Sequence, residues 1–289
     1  LIVSSDSRYH TYAMQSRHSI FNRYIKKIPF VFLQHGVIAL KRVDNFYGKG
    51  KKGGCDLFVV STNKEKQTIV ENFEYEPDEV INTGLPRWDV LKDKSQGKRE
   101  ILIMPTWRNW LDSVPDKDFE ESDYFRHYMG LLNSERLNQI LEKYDLEVNF
   151  YLHAKFQEYA DTFKSISKRI HLISFGEVAV NEMLMRCRML ITDYSSVCWD
   201  ILYQDKPSLF YQFDIEKYNE AHGSYIDMET ELFGDRAATQ EQLLDYLEET
   251  VQNDFRLKPE YEKMRGEYLQ FKDHEHSRHI CEEIKKRFH

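Results

Sequence analysis

The chain has 289 residues, 41% of them hydrophobic and 14% aromatic, with a formal net charge of −8. This is length enough for two domains with a core in each, and the chain is too apolar for general disorder. The acidic balance argues against a general nucleic-acid binder, and no apolar run approaches the ~20 residues of a membrane-spanning helix.

The chain opens on Leu1-Ile2-Val3-Ser4, a strand pattern with no lead-in, so we expect a piece of a longer protein whose first domain is truncated at its N-terminus. Residues 11–27 are expected to form a basic helix carrying Arg17, Arg23, Lys26 and Lys27. Phe30-Val31-Phe32-Leu33 reads as a buried strand that delivers Gln34-His35-Gly36 at its carboxyl end. Residues 36–55 then hold Lys41, Arg42, Lys49, Lys51 and Lys52 against the single acid Asp44, with Gly48, Gly50, Gly53 and Gly54 between them. Their sign opposes that of the whole chain. The stretch reads either as a mobile cationic loop for phosphates or an anionic membrane surface, or as a solvated loop.

Leu57-Phe58-Val59-Val60 is the next strand, residues 65–73 a helix, and Val80-Ile81-Asn82 a strand running into Thr83-Gly84-Leu85-Pro86-Arg87-Trp88. Residues 92–99 are charged, contain Gly97 and show no apolar period. They read as a linker, which places the domains at 1–97 and 98–289.

The second half begins with Ile101-Leu102-Ile103-Met104, a strand delivering Pro105-Thr106-Trp107-Arg108. Residues 112–123 are expected to be an acidic loop. A helix over 135–144 leads to a strand over 148–152 that delivers His153, followed by a helix near 156–165, a strand over 170–173 and a helix over 178–187. Met189-Leu190-Ile191-Thr192 is then a buried strand, and Asp193-Tyr194-Ser195-Ser196 turns it into a helix with Val197, Ile201 and Leu202 on one face. Asp205-Lys206-Pro207 stops that helix before the strand Ser208-Leu209-Phe210-Tyr211. Beyond residue 213 the chain reads as helical and charged, notably at 240–253 and 274–288. Alternating short strands and helices predict an α/β fold with a parallel sheet in each half.

One placement rule joins the polar groups: Gln34-His35, Thr106 and Arg108, His153, and Asp193-Ser195-Ser196 each follow the carboxyl end of a predicted strand, where α/β sheets bind ligands. The turn at Asp193 has no glycine, so it is neither a Walker loop nor a dinucleotide fingerprint. Two hydroxyls, a carboxylate and a helix start suit a phosphate, or else form an ordinary helix cap. Histidine is the side chain with a pKa suited to a base near neutrality. Arg108 could clamp a phosphate with two parallel hydrogen bonds, or sit in an ion pair. Trp88, Trp107 and Trp110 could stack on a base or belong to the core. His274, His276 and His279 lack metal-ligand spacing and read as solvated, and four scattered cysteines read as free thiols of a reducing compartment.

These residues also carry a resemblance. Phe32-Leu33-Gln34-His35-Gly36-Val37, Thr83-Gly84-Leu85-Pro86-Arg87-Trp88-Asp89-Val90-Leu91, Met104-Pro105-Thr106-Trp107-Arg108 and Leu190-Ile191-Thr192-Asp193-Tyr194-Ser195-Ser196, with Lys206-Pro207 and Tyr211-Gln212-Phe213-Asp214, resemble the CDP-glycerol glycerophosphotransferase family in its motif order. The resemblance implies a GT-B fold: two Rossmann-like domains with parallel sheets facing a central cleft, the final helices packing back toward the first domain. It implies transfer of a polyol phosphate from CDP-glycerol, or CDP-ribitol, to a polyol-phosphate or lipid-linked glycan acceptor of a teichoic-acid or capsule polymer, with release of CMP. His35 would be the general base. Thr106, Arg108, His153, Asp193, Ser195 and Ser196 would bind the donor, Arg108 and His153 also stabilising charge, while Lys41, Arg42, Lys49, Lys51 and Lys52 would face the acceptor or the membrane.

No tightly bound cofactor and no structural metal are expected, Mg²⁺ being left open, and no nucleic acid is expected as partner. The implied location is the cytoplasm, peripheral on the inner face of the membrane. The chain departs from the family pattern at His153-Ala154, where the family has His-Pro, at Phe233-Gly234-Asp235, and at Asp273-His274 before Ser277-Arg278. Two other readings stay open: a GT-B glycosyltransferase using a nucleotide sugar, and a non-catalytic polymer-binding module.

Overall fold

The structure, a computed structural model, describes residues 1–11, 24 and 27–288. The expected basic helix over 11–27 therefore lies largely outside the described residues. The chain divides into two compact units: Leu1–Leu91 with Gly223–Ile226 and Lys263–His289, and Lys92–His222 with Asp227–Glu262.

In the first unit, β1 (Ile2–Ser4), β2 (Phe30–Phe32), β3 (Leu57–Val60) and β4 (Val80–Asn82) form a wholly parallel sheet in that order. Successive side chains of a strand point to opposite faces. Phe30, Phe32, Phe58, Val60 and Val80 accordingly pack with Ile69 and Phe73, in and just after the helix Asn63–Asn72. Val31, Leu57, Val59 and Ile81 pack on the other face with Ile280 and Ile284 of the helix His276–Arg287. Covering both faces is what makes these strands continuous apolar runs. The helix expected at 65–73 starts at Asn63, because the Thr62 side chain accepts from the Glu65 N–H at 2.9 Å and caps it.

The second unit carries six parallel strands in the order β10-β9-β8-β5-β6-β7: β5 (Glu100–Ile103), β6 (Glu147–Tyr151), β7 (Ile170–Ile173), β8 (Met189–Thr192), β9 (Ser208–Tyr211) and β10 (Asp235–Ala237). The residues expected to link the domains belong to this unit. Asp93 pairs with Lys206 at 2.9 Å and Lys94 with Glu182 at 2.6 Å, so the charges that suggested a solvated linker instead pin it down.

Three features differ from the expectation. The acidic stretch 112–123 contains the helix Asp116–Glu120, whose Phe119 is fully buried and stacks on Tyr159 with ring centroids 3.9 Å apart. Next comes a helix that the sequence reading missed, Asp123–Leu132, capped by Ser122 and burying Tyr124, Tyr128, Leu131 and Leu132. Strand β10 lies where only helices were expected. Gly234 precedes it because a Cβ there would overlap the Ser208 carbonyl oxygen.

Candidate active site

In the first unit His35 follows β2 in a turn built by buried polar groups. Gln34 is buried in the left-handed conformation (φ 61°), and its amide donates to the Val59 carbonyl at 2.6 Å. Glu65, also buried, accepts from the Ile38 N–H at 2.6 Å and from the Ser61 N–H and hydroxyl at 2.7 and 2.6 Å. Residues 34–38 are thereby fastened to the start of the helix behind them, and Arg87 donates to the His35 carbonyl.

The His35 imidazole reaches solvent at one side, with Phe32 and Tyr47 at 6.5 and 6.3 Å between ring centroids. Desolvation by this surrounding protein lowers its pKa from the ordinary 6.5, and Arg87 lowers it further. Asp6 and a hydrogen bond to the Ser5 backbone act in the opposite direction without restoring it. The neutral ring so favoured carries the lone pair of a base.

The expected mobile cationic loop is a folded segment. It buries Val37, Ala39 and Leu40 and contains the one-turn helix Asp44–Tyr47. The Tyr225 hydroxyl accepts from the Val43 and Asp44 N–H groups at 2.9 and 3.0 Å and donates to the Asp44 carboxylate at 2.5 Å. Lys49 pairs with Glu79 at 2.7 Å, Arg42 lies over the Tyr225 ring, and Lys52 over Tyr9. Lys51 is exposed, and burial lowers the pKa of Lys41.

In the second unit the sheet order reverses direction between β5 and β8, the topological switch point at which open α/β sheets place ligands. Thr106 and Arg108 follow β5, the Asp193–Ser196 turn follows β8, and His153 follows β6 on the other side of β5. The Asp193 carboxylate accepts from the Thr106 N–H at 2.8 Å, the Tyr194 N–H at 2.6 Å and the Tyr128 hydroxyl at 3.2 Å. Thr192 adds a hydroxyl bond to the Met104 carbonyl at 2.7 Å, and the Gln212 amide donates to the Asp193 carbonyl at 3.0 Å. The two turns are thus locked together.

The structure corrects two expectations here. Arg108 does not present an open fork for phosphate: it is fully buried, its Nε and one amino nitrogen donate to Asp214 at 2.8 and 3.1 Å, and it lies 2.8 Å from Asp193. Its other amino nitrogen donates to the Thr106 carbonyl at 2.7 Å, and the guanidinium carbon stands 4.8 Å from the Tyr194 ring centroid. Asp193 is equally sealed, so it orients neighbours rather than offering itself to a ligand. Sequence reasoning missed the partners Asp214, Tyr128 and Tyr194. Tyr128 had a signal, since Tyr124, Tyr128, Leu131 and Leu132 follow a helical period behind Ser122.

Ser195 and Ser196 are half-buried, and Ser196 makes no side-chain cap bond, although it is the residue at the cap position of the helix Val197–Tyr203. Thr106 Oγ1 is buried with no hydrogen-bond partner among the described residues. Nδ1 of His153 accepts from the Lys155 N–H at 3.2 Å, which puts the proton of the neutral ring on Nε2, and Trp107 lies roughly parallel to it at 6.5 Å.

Trp88 is fully buried against His276 and is a core residue, which removes it from the rings that could stack on a base. His276 is not solvated as expected: it is buried and bonds the Thr83 carbonyl at 2.9 Å. Asp273, Glu275 and His279 bring three possible metal-ligand atoms within 4.8 Å of one another, but Glu275 is already engaged by Arg278 and Asp273 by His279.

Comparison with known proteins bears on this arrangement. The Minor teichoic acid biosynthesis protein GgaB of Bacillus subtilis (strain 168) is 30% identical over 270 residues, 88% of this chain and 29% of that protein. The Teichoic acid glycerol-phosphate transferase of Staphylococcus aureus (strain NCTC 8325 / PS 47) is 26% identical over 254 residues, 79% of this chain and 60% of that one. The chain therefore spans less than two thirds of either relative's length. The structure of the Wall Teichoic Acid Polymerase TagF matches 94% of this chain and 71% of its own, with a TM-score of 0.67 at 19% identity, and so shares the two-sheet parallel α/β architecture of the GT-B class. The model of the family CDP-Glycerol:Poly(glycerophosphate) glycerophosphotransferase matches residues 2–286, and the chain belongs to that family.

Proposed function

We propose that this chain transfers a polyol phosphate from a CDP-activated donor, CDP-glycerol ahead of CDP-ribitol, to a hydroxyl of a growing teichoic-acid-like or capsule polymer. The observation that carries the reading is His35: a histidine after β2, in a turn braced by buried Gln34 and Glu65, whose surroundings favour the neutral imidazole. A polymer-binding module has no need of such a base.

The acceptor oxygen bonds to the phosphorus that bears the polyol, the bond from that phosphorus to the bridging oxygen breaks, and CMP departs with that oxygen. The acceptor proton passes to His35. Nε2–H of His153 and the hydroxyls of Ser195, Ser196 and Thr106 supply donors for the diphosphate oxygens, where charge grows as CMP leaves. Arg108 and Asp193 serve as positioning residues that hold the Thr106 and Ser195 turns.

No helix of the described residues is long and apolar enough to cross a membrane. The exposed Lys51 and Lys52, in the same segment as Lys41, Arg42 and Lys49, are cations suited to the anionic lipids of the inner membrane face, where a lipid-linked acceptor would be presented.

The test is CMP release from CDP-glycerol and CDP-ribitol with a polyol-phosphate primer, for the parent and His35→Ala. Turnover of one donor, cut about 10²-fold or more without the imidazole, supports the reading and names the donor. Turnover of a nucleotide sugar instead of either donor replaces it with the glycosyltransferase reading.

A further inference from the structure

β4 is the edge strand of the first sheet and pairs with β3 alone among the described strands. Along its outer edge runs a groove of about 410 Å³, within the roughly 300–1,000 Å³ of small-molecule sites. One wall is Asn63 and Lys66 at the start of the helix Asn63–Asn72. The other is the face of the helix His276–Arg287 that carries Glu283 and Arg287.

The lining is polar and mixed in sign. No described residue pairs with the Lys66 ammonium. Arg287 is held at the far end by Glu283 and by the Asp78 carbonyl. The Asn82 amide nitrogen donates to Asn63 and Gln270 at 2.8 and 2.9 Å, while its carbonyl oxygen is buried and has no hydrogen-bond partner among the described residues. The groove thus offers the Lys66 ammonium at one wall, and at the other the Glu282 and Glu283 carboxylates, which are held by Arg278 and by Lys286 and Arg287 and keep further lone pairs. A nucleic acid strand calls for cations throughout, and a neutral glycan for open aromatic platforms, whereas the rings among the described lining residues, Phe271 and His279, pack edge-on against each other. A chain alternating phosphodiesters with free hydroxyls matches this lining: the Lys66 ammonium for phosphate, and the remaining lone pairs of the Glu282 and Glu283 carboxylates for hydroxyl.

The groove also opens in the right place. Its Thr83 end lies at the carboxyl edge of the sheet, on the same edge as His35, with only β3 between β2 and β4, a separation of about 10 Å. The following segment reaches His35 directly through the Arg87 bond to its carbonyl.

We propose that this groove is a subsite for the already formed part of the polyol-phosphate acceptor, leading it away from His35 along β4; the proposal rests on the transferase reading above. It makes the enzyme sensitive to acceptor length, because a primer must carry several repeats to fill the groove.

The experiment measures kcat/KM for CMP release from CDP-glycerol with poly(glycerol phosphate) primers of about two and about six repeats, in the parent, Lys66→Glu, Lys66→Gln and a surface control, Lys117→Glu. One charge-assisted contact is worth roughly ten-fold or more, so the parent prefers the long primer by about that factor and both Lys66 variants lose the preference while Lys117→Glu keeps it. Equal use of both primers by the parent, or a preference surviving in Lys66→Glu, overturns the proposal. Thermal unfolding checks that the Lys66 variants are folded. If no primer supports turnover the transferase reading has failed, and the groove is judged by calorimetry with the long oligomer alone. A roughly ten-fold weaker Kd in Lys66→Glu then sustains it, and unchanged or undetectable binding to the parent removes it.

Discussion

The guanidinium of Arg108 lies 2.8 Å from the Asp193 carboxylate, and both side chains are sealed from solvent. With Asp214 the cluster holds two acids against one cation, and backbone N–H groups and the Tyr128 and Tyr194 hydroxyls supply the remaining donors. Removing the cation leaves the sealed Asp193 carboxylate and the largely covered Asp214 carboxylate without a counter-ion. Arg108→Ala should therefore lose about 3–5 kcal/mol of stability in urea titration, and Arg108→Lys should fall well short of restoring it, since an ammonium cannot reproduce the two parallel bonds to Asp214. A loss below about 1 kcal/mol would show that this cluster opens to water.

The rate should depend on the neutral form of His35. A pKa held below 6.5 by desolvation places the acid limb of the kcat/KM profile below pH 6.5, with activity falling as the ring protonates. His35→Ala should lose this limb together with about 10²-fold or more of the rate. A limb centred above pH 7 would contradict the assignment.

Glu65 joins Ile38 and Ser61 through three hydrogen bonds. Glu65→Ala strands those donors in the interior, each at a cost of about 1–3 kcal/mol, so a total of about 3 kcal/mol or more is expected in chemical denaturation. Glu65→Gln keeps an acceptor oxygen and should cost less. Because residues 34–38 hang from this carboxylate, kcat in either variant should fall further than KM rises.

Gly84 has φ +74°, and a Cβ there would overlap the His276 ring; Gly97 has φ +72° with open space around it. Gly84→Ala should lower the melting temperature well beyond Gly97→Ala, because the second pays only the backbone strain of about 1–2 kcal/mol while the first adds a clash with a buried imidazole. Equal shifts would mean that His276 moves freely.

Lysines near an anionic surface contribute about 1 kcal/mol each. Lys51→Gln with Lys52→Gln should weaken sedimentation with vesicles containing anionic lipid about 10–30-fold, and Lys49→Gln much less, since Lys49 is committed to Glu79. Vesicle binding equal to the parent's would end the membrane assignment for this segment.

Much of the architecture was readable without coordinates, because it is written in short-range patterns. Continuous apolar runs such as Phe30–Phe32 and Met189–Thr192 mark strands covered on both faces, and their polar successors mark the carboxyl ends. The helix Asp123–Leu132 was missed although its period is local, since the acidic residues before it suggested a loop. Strand β10 was missed because three residues with two charges among them, Asp235-Arg236-Ala237, carry no strand signal until β9 lies alongside.

By itself the sequence determined the alternating α/β order, the family motifs and the placement of His35, His153 and the Ser195-Ser196 turn at strand ends. Only the tertiary structure decided what the charged groups do there. Arg108 meets Asp214 106 residues further on, and the cationic segment at Asp44 is held by Tyr225, 181 residues away. Local pattern sets which way a side chain leaves the backbone, but whether a guanidinium faces a ligand or a buried carboxylate depends on which distant segments the packed sheet brings beside it.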